Sequence, residues 1–141
     1  MHIKEKVQTF CQTLLEHAVQ IISPIDGIEM VACDYKKSNT PPENGWQPCQ
    51  FLSGADKHFW LRFSLNTPQP REGAEYLLQC RTGPKGWNPE NSQGLLYLNG
   101  EMVQGLDLNH TEAFLEPETR YSAYVYLYTG GEKYPFPFEA R

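Results

Sequence analysis

The stretch Leu95 to Gln104 reads LLYLNGEMVQ, and the dipeptide Asn99-Gly100 lies at its centre. A type I′ turn needs positive φ at both central residues, and Asn followed by Gly meets that need best. The residues on either side have the apolar composition of short strands. This stretch therefore predicts a β-hairpin with strands over 95–98 and 101–104.

Other segments repeat the strand pattern. In 58–65, Phe and Leu alternate with His, Trp, Arg and Ser, the period of two expected of a half-buried strand. The segment 121–129 alternates in the same way. Further strands are expected over 29–35, 75–81 and 111–115, separated by loops rich in Gly, Pro and Asn. Short strands at regular intervals without intervening helices predict an antiparallel β-sandwich of about seven or eight strands.

The two ends of the chain have different patterns. Apolar residues recur at helical spacing from Ile3 to Ile22, and Ser23-Pro24 ends the predicted helix. We expect residues 1–24 to form an amphipathic helix that packs on the sandwich or on a partner domain. Residues 25–133 would form the sandwich. The C-terminal YPFPFEAR, residues 134–141, has the alternating prolines of an extended linker to a further domain.

Composition excludes several classes of function. The chain has 141 residues, enough for one domain, and its net charge of -5 without a Lys or Arg run argues against nucleic-acid binding. The N-terminus lacks the apolar run of a signal peptide or a membrane span, so we expect a cytoplasmic protein. Cys11, Cys33, Cys49 and Cys80 lack metal-site spacing and are expected to be buried or half-buried free thiols.

The longer stretch 93–110, QGLLYLNGEMVQGLDLNH, resembles the N-terminal domain of class II α-mannosidases of glycoside hydrolase family 38, of the cytosolic and vacuolar type. Supporting segments are Trp46, DKHFWLRFSL at 56–65 and YVYLYTG at 124–130. The resemblance covers residues 46–130, and Ser92 stands where the family pattern has Pro.

The resemblance implies a jelly-roll or galactose-binding-like sandwich that supports the catalytic domain of the same enzyme. Such enzymes are retaining glycosidases that remove terminal mannose and use a zinc ion and an Asp nucleophile on the catalytic domain. No segment of this chain matches that domain. We therefore expect neither catalytic nor metal-binding residues here, no cofactor within this chain, and no hydrolase activity from it alone.

Asp107, Asn109 and His110 leave the predicted hairpin together on a loop, where sandwiches commonly place binding groups. One interpretation is that this loop faces the catalytic domain and shapes its sugar pocket. The other is a turn held by Asx-type hydrogen bonds. Zinc binding by Asp107 and His110 is disfavoured because two ligands do not make a site.

Aromatic side chains form a second candidate set. They could stack on sugar rings, which would make the chain an autonomous carbohydrate-binding module for mannose-containing saccharides. We favour the alternative that they pack at an interface with the catalytic domain. Exposed apolar surface would also permit a homodimer. The residues concerned are Trp46, Trp60, Trp87, Tyr124, Tyr126 and Tyr128.

Overall fold

The structure, a computed structural model, describes residues 2–18, 22–35, 40–82 and 91–141. It begins with helix α1, Ile3–Ala18, whose apolar side chains recur every three or four residues along one face. No residue of α1 is buried. The predicted helix is therefore confirmed as far as Ala18, residues 19–21 lie outside the described residues, and the sandwich does not cover its apolar stripe.

Nine strands follow in the described residues, and they form two antiparallel sheets. The strands are β1 Glu29–Cys33, β2 Gln47–Pro48, β3 His58–Asn66, β4 Tyr76–Thr82, β5 Gln93–Leu98, β6 Glu101–Leu106, β7 Glu112–Leu115, β8 Arg120–Tyr128 and β9 Phe138–Ala140. Six lie in one sheet in the order β2-β1-β3-β8-β5-β6, and three lie in the other in the order β7-β4-β9. The chain passes repeatedly between the sheets, and the predicted antiparallel β-sandwich is confirmed.

The core lies between the two sheets and is built from alternate residues of each strand. Leu61, Leu96 and Val125 of the large sheet are fully buried, as are Leu78 and Cys80 of the small sheet apart from about one per cent of their surface. Because successive side chains of a strand point to opposite faces, the intervening residues of β3 and β8 lie on the outer face of the large sheet. That outer face carries most of the residues considered below.

The predicted hairpin is confirmed. Asn99 and Gly100 have φ angles of 50° and 86°, as a type I′ turn requires. The Asn99 side chain also accepts a hydrogen bond from the Ser122 amide at 2.9 Å and donates to the Arg120 carbonyl at 3.2 Å. The turn is thereby fastened to β8, the neighbour of β5 in the sheet.

A threonine fastens one end of the central β3–β8 pair. Thr129, directly after β8, is fully buried. Its hydroxyl donates to the Gly54 carbonyl at 2.6 Å and accepts from the Lys57 amide at 2.9 Å, while its own amide donates to the Lys57 carbonyl at 2.9 Å. The loop that leads into β3 is thus held by the residue that follows β8.

Thr67 makes the equivalent hydrogen bonds at the other end of the β3–β8 pair, where it follows β3 and contacts the loop that leads into β8. The Thr67 hydroxyl, directly after β3, donates to the Glu116 carbonyl at 2.6 Å and accepts from the Thr119 amide at 2.9 Å. Its amide donates to the Thr119 carbonyl at 3.0 Å. We call Thr67 and Thr129 the threonine latches. Together they fix the register of β3 against β8.

The C-terminal segment differs from the sequence-based expectation of a linker. Residues Phe138–Ala140 form β9, which pairs with β4, and Phe136 forms a bridge with Leu52. Phe136 and Phe138 are buried, whereas Pro135 and Pro137 are exposed. The alternating prolines therefore mark an edge strand, where a missing amide donor is tolerated.

The cysteines also require one correction. Cys80 is buried, Cys33 and Cys49 are half-buried, and all four are free, but Cys11 is exposed on α1. The expectation of burial is wrong for Cys11 because no residue of α1 is buried. Burial raises the pKa of the Cys80 thiol to about 12. Within the described residues, no helix combines the length and the apolar character needed to cross a bilayer.

Candidate functional site

The outer face of the six-stranded sheet gathers polar and aromatic side chains in cross-strand pairs. The register of β3 against β8 places residues two apart on each strand in successive pairs across this face. These pairs are His58 with Tyr128, Trp60 with Tyr126, Arg62 with Tyr124, and Ser64 with Ser122.

Trp60 is the centre of an aromatic cluster. Its ring centroid lies 5.6 Å from Tyr97, 6.4 Å from Tyr124 and 5.4 Å from Tyr126, the separations of tilted and edge-to-face pairs. Only 2% of Trp60 is exposed although it lies on the outer face. The indole Nε1 has no hydrogen-bond partner among the described residues. The rings therefore cover one another, and Trp60 is not an open stacking platform.

His58 extends the cluster along the same face. Its imidazole stacks on Tyr128 with centroids 4.9 Å apart, and its Nδ1 lies 2.5 Å from the Tyr126 hydroxyl. Tyr128 donates its hydroxyl hydrogen to the Asp56 carboxylate. This hydrogen bond is the main cause that raises the pKa of Tyr128, with burial and the Asp56 charge adding to it. The cluster is thus ordered by hydrogen bonds as well as by ring contacts.

A charged arrangement adjoins the cluster. Arg62 donates from Nε to the Glu29 carboxylate at 2.5 Å, and its guanidinium lies 4.3 Å from the centroid of the Trp46 ring. The Glu29 hydrogen bond raises the pKa of Arg62. Trp46 is itself held by a hydrogen bond from its Nε1 to the Pro42 carbonyl at 2.9 Å and by an edge contact with Tyr124. Arg62 is therefore fixed in orientation and remains charged.

The loop after β6 is a compact turn organised by Asp107. Asp107 Oδ1 accepts hydrogen bonds from the Asn109 amide at 2.7 Å, the His110 amide at 2.7 Å and His110 Nδ1 at 2.9 Å. The bond from the His110 ring is the largest cause that lowers the pKa of Asp107, and the two amides add to it. The His110 side chain is 64% exposed. The loop thus holds the imidazole in one orientation with Nε2 turned away from Asp107.

The structure brings together most of the predicted aromatic set. Trp46 contacts the outer-face tyrosine Tyr124, and Trp60, Tyr126 and Tyr128 share that face. Trp87 lies outside the described residues. The Asx-type turn at 107–110 is confirmed, although Asn109 contributes its backbone amide to it and not its side chain.

Sequence reasoning overlooked four members of this surface. Glu29 was expected only as the first residue of a strand, but it is paired with Arg62. His58 and Arg62 are in phase with Trp60 on β3, and Tyr97 lies opposite Tyr124. The period of two within β3 was the available signal for His58 and Arg62. Glu29 on β1 and Tyr97 on β5 could be placed on this surface only with the strand order, which the sequence pattern does not contain.

Among the described residues, no group of three or more His, Cys, Asp or Glu side chains is placed to hold a metal ion. Comparisons with known protein families, curated proteins and solved structures found no match.

Proposed function

We propose that this chain is the non-catalytic N-terminal β-sandwich of a class II α-mannosidase of glycoside hydrolase family 38. In this proposal it supports the catalytic domain, and the 107–110 loop helps to shape the sugar pocket. The observation that carries the proposal is the stretch 93–110, whose family-like sequence forms one continuous unit of hairpin and ordered turn. The zinc ion and the nucleophile would belong to the catalytic domain.

The geometry of the 107–110 loop supports a role at a domain boundary. Asp107 Oδ1 accepts hydrogen bonds from two backbone amides, and both carboxylate oxygens lie within 3.0 Å of His110 Nδ1, so little ordering remains to be done when a partner binds. An exposed imidazole held in this way can donate or accept one directed hydrogen bond through Nε2. Such a group suits the rim of a pocket for a hydroxyl-rich substrate.

Gly105 supplies a second line of support. A side-chain carbon at Gly105 would meet nothing within 4 Å, and its backbone is outside the left-handed region. The isolated domain therefore has no steric need for glycine there, in contrast to Gly100, whose φ is 86°. Close approach of another polypeptide backbone would create that need. Met102 and Leu95, exposed by 57% and 38%, provide apolar surface on the same hairpin.

Helix α1 is consistent with docking to a further domain. Val7, Phe10 and Leu14 are each more than half exposed and lie on one helical face. The hydrophobic effect favours covering such a stripe, and the Lys-rich or Arg-rich polar face of a membrane-surface helix is missing. The proposal assigns this cover to the catalytic domain.

The first test is the coding sequence beyond codon 141. The proposal expects the reading frame to continue into a domain that carries the His and Asp zinc ligands and the Asp nucleophile of the family. A stop codon directly after Arg141, with no catalytic subunit encoded alongside, would refute it.

A matched pair of glycine variants tests the docking surface with the isolated domain and a separately produced catalytic domain. Gly105→Ala should not lower the melting temperature of the isolated domain, because alanine loses less conformational freedom than glycine in a strand. It should nevertheless weaken association with the catalytic domain, measured by calorimetry. Gly100→Ala should instead destabilise the isolated domain by about 1 kcal/mol, because alanine disfavours positive φ. Unchanged association for Gly105→Ala would contradict the proposed interface.

Substitution of the imidazole tests the role of the loop in the sugar pocket. In the full-length enzyme, His110→Ala should lower kcat/KM for an aryl α-mannoside by about tenfold, the equivalent of one hydrogen bond of roughly 1.4 kcal/mol. His2→Ala is the matched control, because His2 is an exposed histidine beside α1. Equal activity of the two variants would remove the loop from the pocket and leave only a supporting role.

A further inference from the structure

The outer face of the six-stranded sheet contains an open cleft of about 320 Å³, near the lower end of the range for ligand pockets. It is separate from the 107–110 loop and is bounded by strands β1, β3 and β8. Its polar lining side chains are Asp26, Glu29, Arg62, Ser64, Ser122 and Tyr124.

The strand register arranges these groups in two rows. Glu29 lies opposite Arg62, and Arg62 lies opposite Tyr124, so three functional groups cross the sheet in one line. Ser64 and Ser122 lie opposite each other in the next pair on this face, two residues away on each strand. Neighbouring strands are about 4.8 Å apart, and residues two apart along a strand are separated by roughly 7 Å. The cleft therefore has a two-dimensional array of hydrogen-bonding groups on a rigid floor.

Arg62 and Glu29 are already oriented before any ligand binds. Their 2.5 Å contact engages Nε of the guanidinium, and Arg62 Cζ lies over the Trp46 ring at 4.3 Å from the ring centroid. Arginine carries further N–H donors, and a carboxylate has further lone pairs. A ligand with neighbouring hydroxyl groups could use these donors and acceptors without costly side-chain ordering.

The charge of the cleft restricts the class of ligand. Two carboxylates, Asp26 and Glu29, line the cleft together with one guanidinium, Arg62, and no other charged side chain lines it among the described residues. The negative excess and the prior pairing of Arg62 disfavour phosphate or carboxylate ligands. The serine and tyrosine hydroxyls favour a neutral partner that both donates and accepts hydrogen bonds.

We propose that this cleft is a binding site for a neutral saccharide, with Arg62, Glu29, Ser64 and Ser122 as the recognising groups. The ligand would lie across β3 and β8, with its hydroxyls on the two rows. This site does not depend on the parent enzyme being an α-mannosidase. In such an enzyme it would hold a part of the glycan remote from the bond that is cut.

The test is a titration of the isolated domain, followed by amide NMR shifts. The probes are methyl α-mannoside, methyl α-glucoside, methyl β-galactoside and mannose 6-phosphate. The proposal expects saturable shifts in the millimolar range for at least one neutral glycoside, centred on the amides of β1, β3 and β8, and weaker binding of the phosphate. Absence of saturable shifts for every glycoside, or tighter binding of the phosphate, would overturn it.

Variants locate the site. The double variant Ser64→Ala, Ser122→Ala changes exposed positions and should weaken binding at least tenfold while the spectrum stays folded. Arg62→Lys should weaken it further, because lysine keeps the charge but loses the planar fork. Ser53→Ala, an exposed serine outside the cleft, is the control and should bind as the unmodified domain does. Equal affinity of the double variant and the control would refute this assignment even if a sugar binds elsewhere.

Discussion

Replacement of Thr129 by valine tests the threonine latches directly. Valine has nearly the shape of threonine but lacks the hydroxyl, so packing is retained while two hydrogen bonds are lost. These are the 2.6 Å bond to the Gly54 carbonyl and the 2.9 Å bond from the Lys57 amide. Each contributes about 1 kcal/mol net, and leaving the two backbone groups poorly hydrated adds to the loss. We expect the free energy of unfolding to fall by about 2–4 kcal/mol.

Urea unfolding followed by Trp fluorescence measures this change, since the nearly buried Trp60 reports on the β3–β8 pair. The melting temperature should fall by roughly 5–15 °C for a domain of this size. Thr129→Ser keeps the hydroxyl and loses one methyl group, so its cost should be about 1 kcal/mol. A Thr129→Val loss no greater than that of Thr129→Ser would show that the hydroxyl does not hold the loop before β3.

Three further results are expected. Thr67→Val should destabilise the domain by the same 2–4 kcal/mol as Thr129→Val, measured in the same urea series, because its hydroxyl makes the equivalent contacts. A maleimide reagent at neutral pH should label exposed Cys11 within the native state and Cys80 only on unfolding; early Cys80 labelling in native protein would contradict its burial and raised pKa. Asp107 has a lowered pKa, so its contribution is present above the unfolded pKa of about 3.9 and is lost as pH falls through the folded value. Asp107→Asn should therefore reduce the fall in the free energy of unfolding at acid pH by less than about 1 kcal/mol, since the group is exposed. An unchanged dependence of stability on acid pH would refute this contribution of Asp107.

Local sequence signals were sufficient for the strands that carry their own pattern. The Asn99-Gly100 turn needs only two residues with positive φ, and β3 needs only its own alternation. Both features are confirmed. The segment 134–141 was misread because Pro135 and Pro137 suit a linker and an edge strand equally. Only the unpaired edge of β4, a distant part of the chain, decides between them.

In the candidate sites too, contacts between residues close in sequence could be predicted, whereas contacts between distant residues could not. The Asp107 turn closes within four residues, so the sequence could anticipate its Asx-type bonds. The Glu29–Arg62 pair joins residues 33 positions apart. It depends on β1 lying beside β3 in one particular register, and neither composition nor periodicity encodes that neighbour. The cleft therefore could not be predicted from the sequence without the strand order.

The threonine latches have a consequence for how freely the rest of the molecule can vary. A shift of one residue between β3 and β8 would exchange the inner and outer faces. The threonine latches oppose such a shift through hydrogen bonds to backbone groups at both ends of the pair, and no side chain on the outer face is needed for this. Exposed outer-face positions such as Ser64 and Ser122 can then be exchanged without moving the frame that spaces them. The backbone of this sheet therefore keeps a constant register, and point substitutions on its outer face can change which ligands it recognises.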